Sequence, residues 1–112
     1  MRLTAPEFTL VTTDDLGWAN VAVGGELDAA TADDLQDVLR REALAGRSVL
    51  LDLSAVEFMD SSGLTAILCS LALARERDLG FSLRAPIPPS VARVADLCGV
   101  LDTLPLWVAR PA

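Results

Sequence analysis

The residues best suited to chemistry in this 112-residue chain are a run of short polar side chains, Asp60-Ser61-Ser62-Gly63, which follows a block of apolar residues. At a helix start, carboxylate and hydroxyl oxygens accept hydrogen bonds from backbone N–H groups that have no partner in the helix. The same end of a helix carries a partial positive charge, so a phosphoryl group on a serine there meets a favourable field. Taken alone, Ser61 and Ser62 read as caps. Ser61 is expected to turn its oxygen back to the backbone, leaving Ser62 to project toward solvent. Gly63, with no Cβ, leaves the backbone open to close approach by another molecule.

Most other catalytic chemistry is excluded by composition. The chain has no His, no Lys and no Tyr, and all nine basic residues are Arg. Ser-His-Asp triads, Cys-His dyads, Schiff-base lysines, Ser-Lys dyads and phosphate-loop lysines are therefore ruled out. A Gly-x-Ser-x-Gly elbow is absent because position 60 is Asp. Gly24-Gly25-Glu26-Leu27-Asp28 departs from the diguanylate cyclase signature at its last two positions. Asp14-Asp15 and Asp33-Asp34 lack the spaced oxygen ligands of a calcium loop and read as solvated acids. No metal and no cofactor is expected, and no enzymatic activity. Asp52 reads as a strand-end cap or a partner-facing carboxylate rather than a general base. Cys69 and Cys98 lack CxxC spacing and fall in apolar helical patterns. They are expected to be buried, reduced thiols, which suits a cytoplasmic setting.

Apolar residues make up 52% of the chain and charged residues 22%, which excludes a disordered tail. The longest uncharged stretch, Ser61 to Ala74, is shorter than the roughly 18 residues of a membrane span, so no membrane insertion is expected. The first residues lack the basic start and apolar core of a signal peptide. Sixteen acids against nine bases give a net charge of −7, which argues against nucleic acid and suits a basic protein partner.

Around the polar run, the pattern predicts one domain over residues 1–112. Glu7–Thr12 and Trp18–Gly24 read as a hairpin through Asp14-Asp15-Leu16-Gly17. Thr31 starts a helix, with Asp34 completing an approximate capping box, and Gly46 ends it. Ser48–Leu53 reads as a central strand covered on both faces, and Ser54–Met59 as a loop. A second helix spans Ser61 to about Arg77. Phe81–Arg84 is a strand, Ser90 caps a third helix that ends at Gly99, and Leu104–Val108 is an edge strand. Trp18 and Trp107 read as partly buried strand residues. The order is β-β-α-β-α-β-α-β, an α/β class with a mixed β-sheet carrying parallel crossovers.

Leu51-Asp52-Leu53-Ser54 followed by Phe58-Met59-Asp60-Ser61-Ser62-Gly63-Leu64 resembles the signature of STAS domains, in particular bacterial anti-sigma factor antagonists. Gly25-Glu26-Leu27-Asp28 with Thr31-Ala32-Asp33-Asp34-Leu35, and Val91-Ala92-Arg93-Val94 through Leu97-Cys98-Gly99-Val100, are further matching blocks. The resemblance implies a mixed β-sheet with helices packed on one side. It implies a partner that is both an anti-sigma factor and a serine kinase, with ATP bound by that partner. Binding releases a sigma factor; phosphorylation of Ser62 ends binding, and a PP2C-type phosphatase restores it. The partner surface implied is Asp28, Asp60, Ser61, Ser62 and Gly63. Relatives with the same fold also serve as non-switching stressosome scaffolds or lipid-transport accessory subunits, and many of those lack a phosphorylatable serine at this position.

Overall fold

The computed structural model describes residues 2–5 and 8–107. Its elements are β1 (Arg2–Ala5), β2 (Phe8–Asp15), β3 (Trp18–Leu27), α1 (Ala32–Leu44), β4 (Val49–Met59), α2 (Ser61–Glu76), β5 (Phe81–Arg84), α3 (Pro89–Leu97), a 3-10 turn (Leu101–Thr103) and β6 (Leu106–Trp107). The six strands lie in sequence order, β1-β2-β3-β4-β5-β6. β1, β2 and β3 pair antiparallel, and β3 to β6 run parallel. Each parallel crossover carries one helix and steps to the next strand in the same direction. Right-handed crossovers that never reverse place all three helices on one face. The mixed sheet with one-sided helices is therefore as expected, with one strand more than the sequence suggested. The added strand, β1, pairs Leu3 with Leu10 and Thr4 with Thr9. The expected strand at Leu104–Val108 shortens to Leu106–Trp107, and Val108 lies outside the described residues.

The core lies between the sheet and the helices. Val21, Val23, Leu51, Leu53 and Leu83 from the strands meet Leu35, Val38, Ile67, Leu71 and Val91 from the helices. The opposite face carries the alternate residues, including Asn20, Asp52 and Arg84, with Trp18 and Trp107 only partly covered. Arg84 pairs with Asp52 at 3.6 Å and lies over the Trp107 ring, 5.5 Å from its centre. Asp52 also accepts from the Ser54 N–H at 2.9 Å, which makes it a structural anchor rather than a base. None of the described helices covers this face, so the central strand is not sandwiched between helices, although Leu50 is buried there.

β4 does not stop at Leu53. It continues through Ser54–Met59, the stretch expected to be a loop. β3 also continues, to Leu27, and supplies the pairing. Between the Ala22–Asp52 and Gly24–Ala55 pairs, β4 advances three residues while β3 advances two, and a second such slip follows Gly25. Each bulge moves the inward face by one position. Val56 and Met59 consequently reach the core three residues apart, which hides the period-two signature of a strand.

The β2–β3 hairpin turns on Leu16 and Gly17, both with positive φ, 53° and 89°. Two left-handed residues define a type I′ turn, whose twist matches the flanking strands. Gly adopts this conformation freely, but Leu does so at a cost of about 1–2 kcal/mol. Leu16 is 98% exposed, so its side chain contributes no burial in return. Leu16→Asn raises unfolding stability by about 1 kcal/mol, measured by chemical denaturation. A variant less stable than the parent would contradict this account of the turn.

Candidate functional site

Asp60, not Ser61, caps α2. Its backbone is extended (φ −112°, ψ −173°), and its Oδ1 accepts from the Ser62 N–H at 2.8 Å and the Gly63 N–H at 3.3 Å. A carboxylate with non-helical backbone takes both donors of the first turn, which leaves nothing for the Ser61 hydroxyl to cap. Ser61 is exposed, whereas Ser62 is half-buried with its N–H engaged. Ser61 is thus not the cap that the sequence suggests, and Ser62 keeps part of its surface exposed with no hydrogen bond from its hydroxyl among the described residues.

Gly63 is buried, and its neighbour is the protein's own chain. A Cβ at this position would lie 2.7 Å from Met59 Cγ, 2.8 Å from Leu27 Cγ and 2.9 Å from the Leu27 carbonyl oxygen. The glycine therefore lets the first turn of α2 sit on the ends of β3 and β4, rather than opening the backbone to a partner as expected. Because one of these atoms is backbone, a side-chain rotation cannot relieve the clash. Gly63→Ala destabilises the fold by about 1–3 kcal/mol, as overpacked sites do, and displaces the Asp60 cap. Equilibrium urea unfolding measures the loss; an unchanged midpoint would refute the close-packing argument.

Asp28 follows β3 as Asp60 follows β4, and Leu27 and Met59 are register partners on adjacent strands. Adjacent strands lie roughly 4.8 Å apart, so the two carboxylates leave neighbouring strand ends. The Asp60 N–H also donates to the Leu27 carbonyl at 3.3 Å, which ties the two ends together. Asp28 shapes its own loop: its Oδ1 accepts from the Ala30 N–H at 3.0 Å, and its carbonyl accepts from the Thr31 and Ala32 N–H groups. Thr31 stands at the cap position of α1 without capping it through its side chain. Its hydroxyl instead donates to the Glu26 carbonyl at 2.8 Å and accepts from the Asp28 N–H at 3.0 Å, so the expected capping box with Asp34 does not form.

The structure therefore brings Asp28, Asp60, Ser61, Ser62 and Gly63 to one end of the molecule, at the carboxyl ends of β3 and β4. The starts of α1 and α2 both open onto this end, and Asp33 and Asp34 lie in the first turn of α1. The surface is acidic, with helix-terminal N–H groups behind it. Among the described residues, no group of three His, Cys, Asp or Glu side chains lies together as a metal site would require. No described helix is long and apolar enough to cross a membrane.

Beside this end runs a cleft of about 310 Å³ between β4 and α3, lined by Phe58, Asp60, Arg93, Val94 and Leu97 among others. The sequence reading missed it. Phe58 stood in a supposed loop, and Ser90 was assigned to capping α3. Instead Pro88 occupies the cap position, and the Ser90 hydroxyl donates to the Val56 carbonyl at 2.7 Å, holding α3 against β4. The signal was present in the spacing of Ser90, Arg93, Val94 and Leu97, which is one helix face. Cys69 and Cys98 are also not where expected: both are free thiols, and both are exposed. Ile67 and Leu71 take the core positions of that part of α2, and Cys98 is the C-cap of α3, beyond its buried Val91 and Ala95.

The class of domain is set by the fold, a mixed sheet with its helices on one face, and the acidic strand ends and the serine pair lie together at one end of it. The STAS domain family model matches residues 8–110, and the chain belongs to that family. Within it, the chain is similar to the anti-sigma-B factor antagonist of Staphylococcus epidermidis, 31% identical over 97 residues, covering 84% of this chain and 85% of the relative. It is also similar to the solved anti-sigma factor antagonist of Mycobacterium paratuberculosis, with a TM-score of 0.76 and 32% identity over 94% of this chain and 90% of the other. The unphosphorylated form of the antagonist SpoIIAA shares the fold at a TM-score of 0.74 and 16% identity, over 90% of this chain and 88% of the other.

Proposed function

We propose that this protein is an anti-sigma factor antagonist. A serine-kinase anti-sigma factor docks on the carboxyl ends of β3 and β4 and so gives up its sigma factor. The observation that carries the reading is the Asp60-capped start of α2, which presents the Ser61–Ser62 pair at the carboxyl ends of β3 and β4, on the strand end next to Asp28. The names of the relatives support the same role, and SpoIIAA has been solved in both unphosphorylated and phosphorylated forms. The role is regulatory. The chemistry belongs to the partner, which transfers the γ-phosphoryl of its ATP to a serine oxygen, with the hydroxyl proton lost and ADP released. A PP2C-type phosphatase then hydrolyses the phosphoserine with water, freeing inorganic phosphate and restoring the hydroxyl. Two free thiols suit a reducing, cytoplasmic setting.

The resemblance pointed to Ser62 as acceptor. We keep that assignment: Ser62 is only half-buried, and what the Asp60 cap engages is its backbone N–H, which leaves the hydroxyl to accept a phosphoryl group. Treating the wild type, Ser61→Ala and Ser62→Ala with the kinase and ATP, followed by tandem mass spectrometry, separates the two. Phosphate on Ser61 alone would move the assignment to that residue. No phosphate on either would leave a non-switching scaffold.

Asp28→Arg tests the docking surface. Reversing a charge at a contact of this kind weakens binding by several kcal/mol when like charges are brought together. Calorimetric titration of the anti-sigma factor is expected to show at least a tenfold loss, with the melting curve retained. Wild-type affinity would remove Asp28 from the interface.

A further inference from the structure

We infer that the cleft between β4 and α3 is a second, apolar anchor point for the same partner, one that receives an aliphatic side chain set among basic groups. This rests on the function proposed above and extends its surface beyond the strand ends. Leu97 is 80% exposed and Phe58 is 49% exposed, and both border the one cleft. Singly exposed leucines such as Leu16 and Leu44 are ordinary, but two large apolar side chains exposed side by side on one cleft mark an interaction site. α3 supplies Val94 and Leu97 from one face, while its other stripe, Val91 and Ala95, is spent on the core.

The cleft is continuous with the proposed site, because Asp60 lines it as well as capping α2. Its rim sets the chemistry of the occupant. Glu57 and Asp60 are acidic, and Asp28 stands on the neighbouring strand end. Arg93 is the basic residue of the lining, and it forms no ion pair with the described residues. A partner that fits therefore presents an aliphatic knob, lysine or arginine toward the acids, and one carboxylate toward Arg93. A central apolar anchor within a polar rim is the arrangement that concentrates binding energy at protein interfaces.

The test uses the purified serine-kinase anti-sigma factor and the full-length chain. Leu97→Asp, which places a charge in the anchor pocket, is expected to lower affinity roughly thirtyfold. Arg93→Glu is expected to lower it about tenfold, with a changed salt dependence. Leu44→Asp, an equally conspicuous exposed leucine at the far end of α1, is the control and is expected to bind as the parent does. If Leu97→Asp melts early, Arg93→Glu, altered at an exposed charge, carries the test. Parent-like affinity for both cleft variants, with the wild type binding well, would overturn the anchor and leave the proposed function standing. Failure of the wild type to bind at all would overturn both.

Discussion

Phosphorylated on Ser62, the protein is expected to bind its anti-sigma factor roughly a hundredfold more weakly than the unmodified form, a change of about 3 kcal/mol. The phosphate adds about −1.5 to −2 charges at neutral pH. It does so beside Asp60 and next to the Asp28 strand end. Within the isolated domain, the start of α2 tolerates the charge, since helix N–H groups and the macrodipole favour an anion there. The fold should therefore survive, with the melting temperature little changed. At an interface the balance differs. A surface formed against a small neutral hydroxyl must either desolvate the phosphate or face it with unpaired groups. Ser62→Ala should bind like the unmodified parent and stay bound in the presence of ATP. Ser62→Asp should bind weakly from the outset, and Ser61→Ala should still switch. Calorimetry on the separated phosphorylated and unmodified forms decides the matter. Equal affinities would defeat the switch, and loss of the native fold on phosphorylation would defeat its proposed mechanism.

Truncation of Leu51, Leu53 or Ile67 to Ala is expected to cost about 2–5 kcal/mol each, enough to lower the melting temperature by roughly 10–20 °C in a domain of this size. All three are at most 1% exposed, in the seam where β4 meets α2. The loss combines the lost burial of apolar groups with the cavity left between rigid elements. The same seam holds the start of α2 over the strand ends, so affinity for the partner should fall in step with the unfolded fraction and not beyond it. Ser90→Ala provides a contrast. It removes one hydrogen bond to the Val56 carbonyl, leaving an acceptor that water can reach only in part, and should cost about 1–2 kcal/mol. Urea titrations of these variants give the ranking, and a Leu51→Ala protein as stable as Ser90→Ala would show that the seam is not the core.

The helices and the core half of β4 were legible because their patterns are local. Leu64, Ile67, Leu68 and Leu71 recur at helical spacing, and Val49 to Leu53 is nearly unbroken apolar sequence. The polar run at residues 60–63 was likewise legible as a helix start, because Asp and Ser compete for backbone donors wherever they stand. The sequence by itself thus determined the class of fold, the alternation of strand and helix, and the place of the candidate site. Tertiary structure decided the rest. Which side chain caps α2 depends on the angle at which β4 delivers the chain, and the extended Asp60 reaches both N–H groups before Ser61 can. Gly63 owes its necessity to Leu27, 36 positions earlier, whose carbonyl leaves no room for a Cβ. Ser54–Met59 is a strand only because β3 runs alongside it, and two bulges scramble the alternation that would have shown it. The exposed Cys98 and the Phe58–Leu97 cleft arise from how α3 docks, with Ser90 bonded to Val56, and Cys69 is left exposed on the side of α2 that faces α1. Periodicity records which residues share a face of one element; which faces meet, and what is left uncovered between them, is set by contacts between residues far apart in the chain.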